Sequence, residues 1–84
     1  MARPPEELDL HRHTVDEALP RLEQFLYDAY RARLRRVWIV HGKGTGTLKQ
    51  AVSRYLASHI LVRAYRTAGG SHGGAGATEV DLAD

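Results

Sequence analysis

Asp9 and His11 stand two residues apart, and a second imidazole, His41, opens the run His41-Gly42-Lys43-Gly44-Thr45-Gly46. A carboxylate beside an imidazole is a recurrent acid–base pair, in which the carboxylate orients the ring and the ring moves the proton. The glycine run offers a different chemistry. Glycines let backbone amides turn inward as an anion nest, Lys43 adds a mobile positive charge, and Lys49 follows in the next segment. Together these groups describe a site for a phosphate ester. Asp9 and His11 could supply a base or hold a divalent ion, while His41, Lys43 and the amides of Gly42, Gly44, Thr45 and Gly46 could neutralise the phosphoryl charge. The set Asp9, His11, His13 and His41 could instead ligate a metal, and a divalent ion such as Mg or Mn is the cofactor such a site could use. A nucleotide-hydrolase P-loop is excluded, because the upstream glycine is missing and Gly44 stands where Ser or Thr should follow the lysine. Taken singly, each feature also has a plain structural account: two polar residues at the end of an edge strand, and a turn that joins a strand to a helix.

The phosphate-site account requires elements that deliver these residues to one place. Residues 8–11 alternate apolar and polar as a short strand, with Leu8 and Leu10 facing the core and Asp9 and His11 sharing the other face. Thr14 and Glu17 have the spacing of a capping box, and Val15, Ala18, Leu19, Leu22, Phe25, Leu26 and Ala29 make one apolar helical face. Pro20 falls inside that helix and predicts a bend. Residues 36–41 form a buried strand, residues 48–58 a second amphipathic helix, and residues 62–68 and 78–82 two further strands. In the third strand Val62 and Ala64 are expected on one face; in the last, Thr78, Val80 and Leu82 point inward. The stretch from 68 to 77 is glycine-rich enough to predict a mobile loop around His72. The order β-α-β-α-β-β calls for a small two-layer α/β sandwich with a mixed four-stranded sheet. Its first strand, helix and strand make a right-handed βαβ unit, so the carboxyl ends of two parallel strands bring Asp9, His11, His41 and the glycine run to one edge.

Composition bounds the function. A chain of 84 residues holds one small domain, divided here into an arm at residues 1–6, with Pro4-Pro5, and a folded unit at 7–84. No apolar run approaches membrane-span length, and the lack of cysteine excludes a disulfide scaffold or a Cys-ligated metal and fits a cytoplasmic protein. A net charge of only +2 conceals a local cluster of Arg31, Arg33, Arg35 and Arg36, a pattern found on solvated helix ends as well as on nucleic-acid surfaces.

The motifs in combination resemble the Smr (small MutS-related) domain. The similarity rests on Leu8-Asp9-Leu10-His11, Thr14-Val15-Asp16-Glu17-Ala18, His41-Gly42-Lys43-Gly44-Thr45-Gly46 and Gly73-Gly74-Ala75-Gly76-Ala77-Thr78, and runs from Leu8 to Leu82. It implies a nicking endonuclease that acts on DNA, with preference for branched or recombination-intermediate substrates, carried by a larger MutS-like protein that limits recombination. RNA-cutting relatives extend the substrate class to RNA. The family motifs LDxH and HGxG assign catalytic roles to Asp9, His11 and His41, and place Gly42 and Gly44 at the phosphate, with Lys43 at the variable position. Many relatives carry Arg-Gly where this chain has His11-Arg12, and His11 groups the chain with the nucleases. The alternative is a non-catalytic module that docks its parent protein on DNA, RNA or the ribosome.

Overall fold

A computed structural model describes residues 6–44 and 46–84, so the expected arm falls outside the described residues except for Glu6, as does Thr45 of the glycine run. The elements are β1 Glu7–Asp9, α1 Val15–Arg31, β2 Arg36–Val40, α2 Thr47–Ala57, β3 Val62–Thr67 and β4 Ala77–Leu82. They form one sheet in the order β1-β2-β4-β3, with β1 parallel to β2 and β4 antiparallel to both β2 and β3. The two crossovers, β1-α1-β2 and β2-α2-β3, step across the sheet in the same direction. Right-handed crossovers taken the same way place both helices on one face, which gives the expected two-layer sandwich. No helix among the described residues is long and apolar enough to cross a membrane.

α1 opens on the capping box: Glu17 N–H donates to the Thr14 hydroxyl at 3.2 Å and Thr14 N–H to the Glu17 carboxylate at 2.9 Å. The helix continues through Pro20 and buries Ala18, Leu22, Phe25, Leu26 and Ala29. These pack against Val37 and Ile39 of β2, Val80 and Leu82 of β4, and Val52 and Leu56 of α2. α1 and α2 are further tied by Glu23, which accepts from the Tyr55 hydroxyl and from His59 Nε2. Tyr27 packs edge-on against the same His59 ring.

Only alternate residues of β2 are fully buried, because the helices cover a single face. Val37 and Ile39 are inaccessible, whereas Trp38 and Val40 are half-buried on the opposite face. There Trp38 Nε1–H donates to Glu79, and Asp81 accepts from Arg36 Nε at 2.7 Å and Arg66 at 2.5 Å. These arginine contacts hold the Asp81 carboxyl at about 2, below its ordinary 3.8. A carboxyl depressed on folding stabilises the protein above its unfolded value, and that contribution is lost as pH falls towards the folded one. The melting temperature of Asp81→Asn is therefore expected to lie below that of wild type at neutral pH and to fall less steeply between about pH 4 and pH 2. Thermal melts across that range check it.

Two expectations change. A bulge in β3 sets Val62 opposite Leu82 but Ala64 opposite Asp81, so Val62 and Ala64 lie on opposite faces rather than one. One extra residue, inserted into the strand, reverses the alternation beyond it. The glycine-rich stretch is also not a structureless loop. It forms two 3-10 turns, Gly70–His72 and Gly74–Gly76, closed by His72 and Gly74 N–H donating to Gly69 C=O and by Gly76 N–H donating to Gly73 C=O. The His72 ring stacks on Trp38, with centroids 4.1 Å apart and planes 6° from parallel. Gly73, at φ 103°, has no room for a side chain, since a Cβ would lie 2.9 Å from that of Ala77.

Candidate active site at the carboxyl edge of the sheet

The parallel register sets Asp9 beside Val40, and Leu10 N–H donates to Val40 C=O at 2.7 Å before the chain leaves the sheet. Leu10 is buried, and His13 N–H donates back to its carbonyl at 3.0 Å, so residues 10–13 form a tight turn on an apolar anchor. His11 thus sits in the turn after β1, not on the strand face shared with Asp9 that the alternation predicts. The two meet because the Asp9 side chain reaches forward. Its Oδ1 accepts from His11 N–H at 3.0 Å and from His11 Nδ1–H at 2.5 Å. The backbone donor first, and the ring second, keep the Asp9 carboxyl below its ordinary range. On the far side of the ring, Arg12 Nε–H donates to His11 Nε2 at 3.1 Å. These partners assign the proton to Nδ1 and the lone pair to Nε2. An imidazole oriented by a carboxylate through one nitrogen, with a basic lone pair on the other, is the arrangement of a general base.

His41 is placed differently. It is only 4% exposed, and both ring nitrogens are engaged: Nδ1–H donates to Gly42 C=O and Nε2 pairs with the Thr78 hydroxyl, each at 2.9 Å. The backbone amides of His41 and Gly42 both donate to Gly76 C=O at 2.9 Å. His41 therefore braces the end of β2 against β4 and the glycine turns, and the Gly42 amide is directed to Gly76 instead of to a ligand. Gly42 has φ 79°, and a Cβ there would come within 3.3 Å of the His11 Cβ, so its bare backbone is what lets the two strand ends approach. Gly46, at φ 85°, caps α2 in the left-handed region without a side-chain hydrogen bond. Gly44 has neither a positive φ nor a neighbour within 4 Å of an added Cβ, so its backbone does not require glycine.

Between these segments lies a groove of about 410 Å³, lined by His11, His13 and Thr14 on one side and by Lys43, Gly44, Gly46 and the first turn of α2 with Lys49 on the other. Lys43 and Gly44 are exposed and Lys49 is half-buried. The edge of the sheet thus brings together the Asp9–His11 pair, two lysines and the amino end of a helix, whose dipole favours an anion. Among the described residues no group of three or more His, Asp or Glu side chains is gathered to hold a metal ion. His41 uses both ring nitrogens and Asp9 and His11 face each other, so the four-residue set Asp9, His11, His13 and His41 does not converge. Arg12, Gly76 and Thr78 enter the site without having been marked by spacing. Arg12 was legible only as a neighbour of His11, and the Thr78 contact spans 37 residues.

Comparison with known proteins gives one consistent result. A family model described as the Smr domain matches residues 8–83. The chain is 48% identical over 77 residues to a protein named Endonuclease MutS2 from Pelotomaculum thermopropionicum, a match that covers 92% of this chain and 10% of that protein. It spans about a tenth of the length of the curated relatives it matches. Its fold is similar to the crystal structure of the Smr domain of Thermus thermophilus MutS2, with a TM-score of 0.89, 38% identity, and 93% of this chain and 98% of that one covered. It is also similar to YdaL, a stand-alone small MutS-related protein from Escherichia coli, with a TM-score of 0.90, 35% identity, and 94% and 65% covered.

Proposed function

Since this chain belongs to the Smr domain family, we propose that it is a nicking endonuclease domain that hydrolyses a phosphodiester bond of DNA. In this reading it prefers branched or recombination-intermediate DNA and serves a larger MutS-like protein that limits recombination. The observation that carries the proposal is the 2.5 Å contact between Asp9 Oδ1 and His11 Nδ1 at the rim of a groove with lysines on its far wall.

The chemistry follows from the tautomer. A water oxygen attacks phosphorus while His11 Nε2 accepts its proton, and Asp9 stabilises the imidazolium that results. A new P–O bond forms, the bond to the leaving sugar oxygen breaks, that oxygen takes a proton from solvent water as it departs, and His11 afterwards releases its proton to solvent. Arg12 now occupies Nε2. A phosphodiester brings a full negative charge, with which a guanidinium bonds more strongly than with a neutral ring, so an arriving substrate draws Arg12 onto phosphate and frees the base. Lys43, Lys49 and the first turn of α2 neutralise the charge that builds on the phosphoryl oxygens. His41 acts as a positioning residue, holding Gly42 and the glycine run in register with His11. Among the described residues no three side chains gather as a metal site, and the steps above use the chain's own groups.

Supercoiled plasmid incubated with the purified domain should convert to open circle, and a branched duplex should be cut faster than a linear one. Parallel reactions with Mg, Mn or a chelator report metal dependence, and an RNA duplex reports the breadth of substrate. A domain that binds these substrates but leaves all of them intact overturns the nuclease reading in favour of a docking module.

Phosphate capture by the groove has its own test. Lys43→Ala is expected to weaken binding to every DNA sequence about equally and to lower the slope of log affinity against log salt by about one, since one counterion-releasing contact is lost. Binding isotherms across a salt series measure it. An unchanged slope removes Lys43 from the phosphate.

A further inference from the structure

The geometry points to a second nucleic-acid contact at the opposite end of the sheet, where Arg31, Arg33 and Arg35 form a basic edge that grips phosphodiester backbone away from the bond being cut. This inference rests on the nucleic-acid reading above but on none of its catalytic steps.

The first observation is conformational. After α1 ends at Arg31, with Ala32 as its cap, Arg33 N–H donates to Tyr30 C=O and Leu34 N–H to Ala29 C=O, both at 3.0 Å. Those two bonds make a Schellman closure, in which the residue after the cap lies in the left-handed region and is usually glycine. Here it is Arg33, at φ 63°, the only non-glycine residue with positive φ among the described residues. Glycine would form the same backbone bonds without the strain that a Cβ brings. Backbone strain that the fold does not require marks the side chain as the part that is used.

The second observation is electrostatic. Of the four clustered arginines, Arg36 is neutralised by Asp81 and Glu79 on the open face of the sheet. Arg31, Arg33 and Arg35 are exposed and make no ion pair among the described residues. Buried Leu34 anchors the turn and leaves Arg33 and Arg35 outside on either side of it.

The third is shape. The three arginines and the Tyr30 ring, 38% exposed, line a surface cleft of about 590 Å³ in which Asp84 is the one acidic side chain. Guanidinium forks match phosphate oxygens in pairs, and a tyrosine ring at the rim can stack on a sugar or base. Arg35 and His41 flank β2, so about 20 Å of extended chain separates this edge from the candidate active site. One nucleic-acid molecule can therefore touch both.

The test is equilibrium binding of a fluorescent DNA duplex, linear and branched, to wild type, Arg33→Gly, Arg31→Ala/Arg35→Ala and Lys43→Ala across a salt series, with a thermal melt of each protein. Arg33→Gly is expected to lower the salt slope by about one and the double variant by about two. The melting temperature of Arg33→Gly should equal or exceed that of wild type. If the arginine variants bind with wild-type slope while Lys43→Ala is weakened, the basic edge is overturned and the nucleic-acid reading stands. If wild type binds no DNA, both fall. A lowered melting temperature for Arg33→Gly with an unchanged slope assigns the arginine to the fold. If, when the same proteins are titrated with polyglutamate, the arginine variants lose polyglutamate binding but keep DNA binding, the edge belongs to an acidic protein and the inference is overturned.

Discussion

His11→Ala is expected to slow strand nicking by about 10²- to 10⁴-fold, the contribution of a positioned general base, while the protein melts within a few degrees of wild type. The two halves of that result come from different features of the structure. The ring of His11 is exposed and its hydrogen bonds go to Asp9 and Arg12, so its removal opens no cavity in the core. Its Nε2 lone pair is the basic nitrogen that the Asp9–His11 pair presents at the groove, and alanine has no group to replace it. Asp9→Asn is the companion variant. An amide can still accept from the His11 backbone N–H and preserve the turn, but it carries no charge to stabilise an imidazolium, so activity should fall with the fold intact. Rates are read from the conversion of supercoiled plasmid, and folding from circular dichroism. A His11→Ala protein that nicks at the wild-type rate removes the imidazole from the chemistry. One that unfolds assigns His11 to structure.

Ile39→Asp is expected to leave the domain unfolded at 25 °C. Ile39 is inaccessible in a strand that has a neighbour on each side, packed beneath both helices. An ionised carboxylate there has no partner, and even its neutral form loses hydrogen bonds to water, a cost of several kcal/mol. Small domains have only about 5–15 kcal/mol in total. Ile60 is the control, being 84% exposed, and the same substitution there should leave the melt near wild type. The contrast isolates burial from residue type. A cooperative melt of Ile39→Asp close to that of wild type contradicts the placement of β2 in the sheet.

The amino-acid sequence by itself determined the features that obey local rules. Thr14 and Glu17 are three residues apart, and the capping bonds form between them in any chain that starts a helix there. Val80 and Leu82 are buried with Thr78 because side chains in a strand alternate. The meeting of Asp9, His11 and His41 at one edge needed one further rule, the right-handed crossover that makes β1 and β2 parallel. Motif resemblance carried the rest, because LDxH and HGxG mark residues at the ends of those two strands.

Only the tertiary structure decided what each of those residues does with its polar atoms. Spacing offers His41 as a group facing phosphate, but Thr78 of the adjacent strand β4 and Gly76 just before it, distant only along the chain, bind its ring and its amide. Asp81 alternates outward in β4 and is nevertheless buried, because arginines from β2 and β3 close over it. The glycine-rich stretch has the composition of a mobile segment, yet His72 stacks on Trp38 and its turns close on themselves. Nothing within either segment predicts that contact. Gly42 and Gly46 adopt left-handed backbone and Gly44 does not, a distinction set by where the strand end and the helix start must point. The physical reason is clearest for His41 and Asp81. A helix cap or a strand alternation depends on neighbours along the chain, whereas the partner of a buried polar group is whichever donor or acceptor the folded chain brings within about 3 Å, and no spacing relates the two.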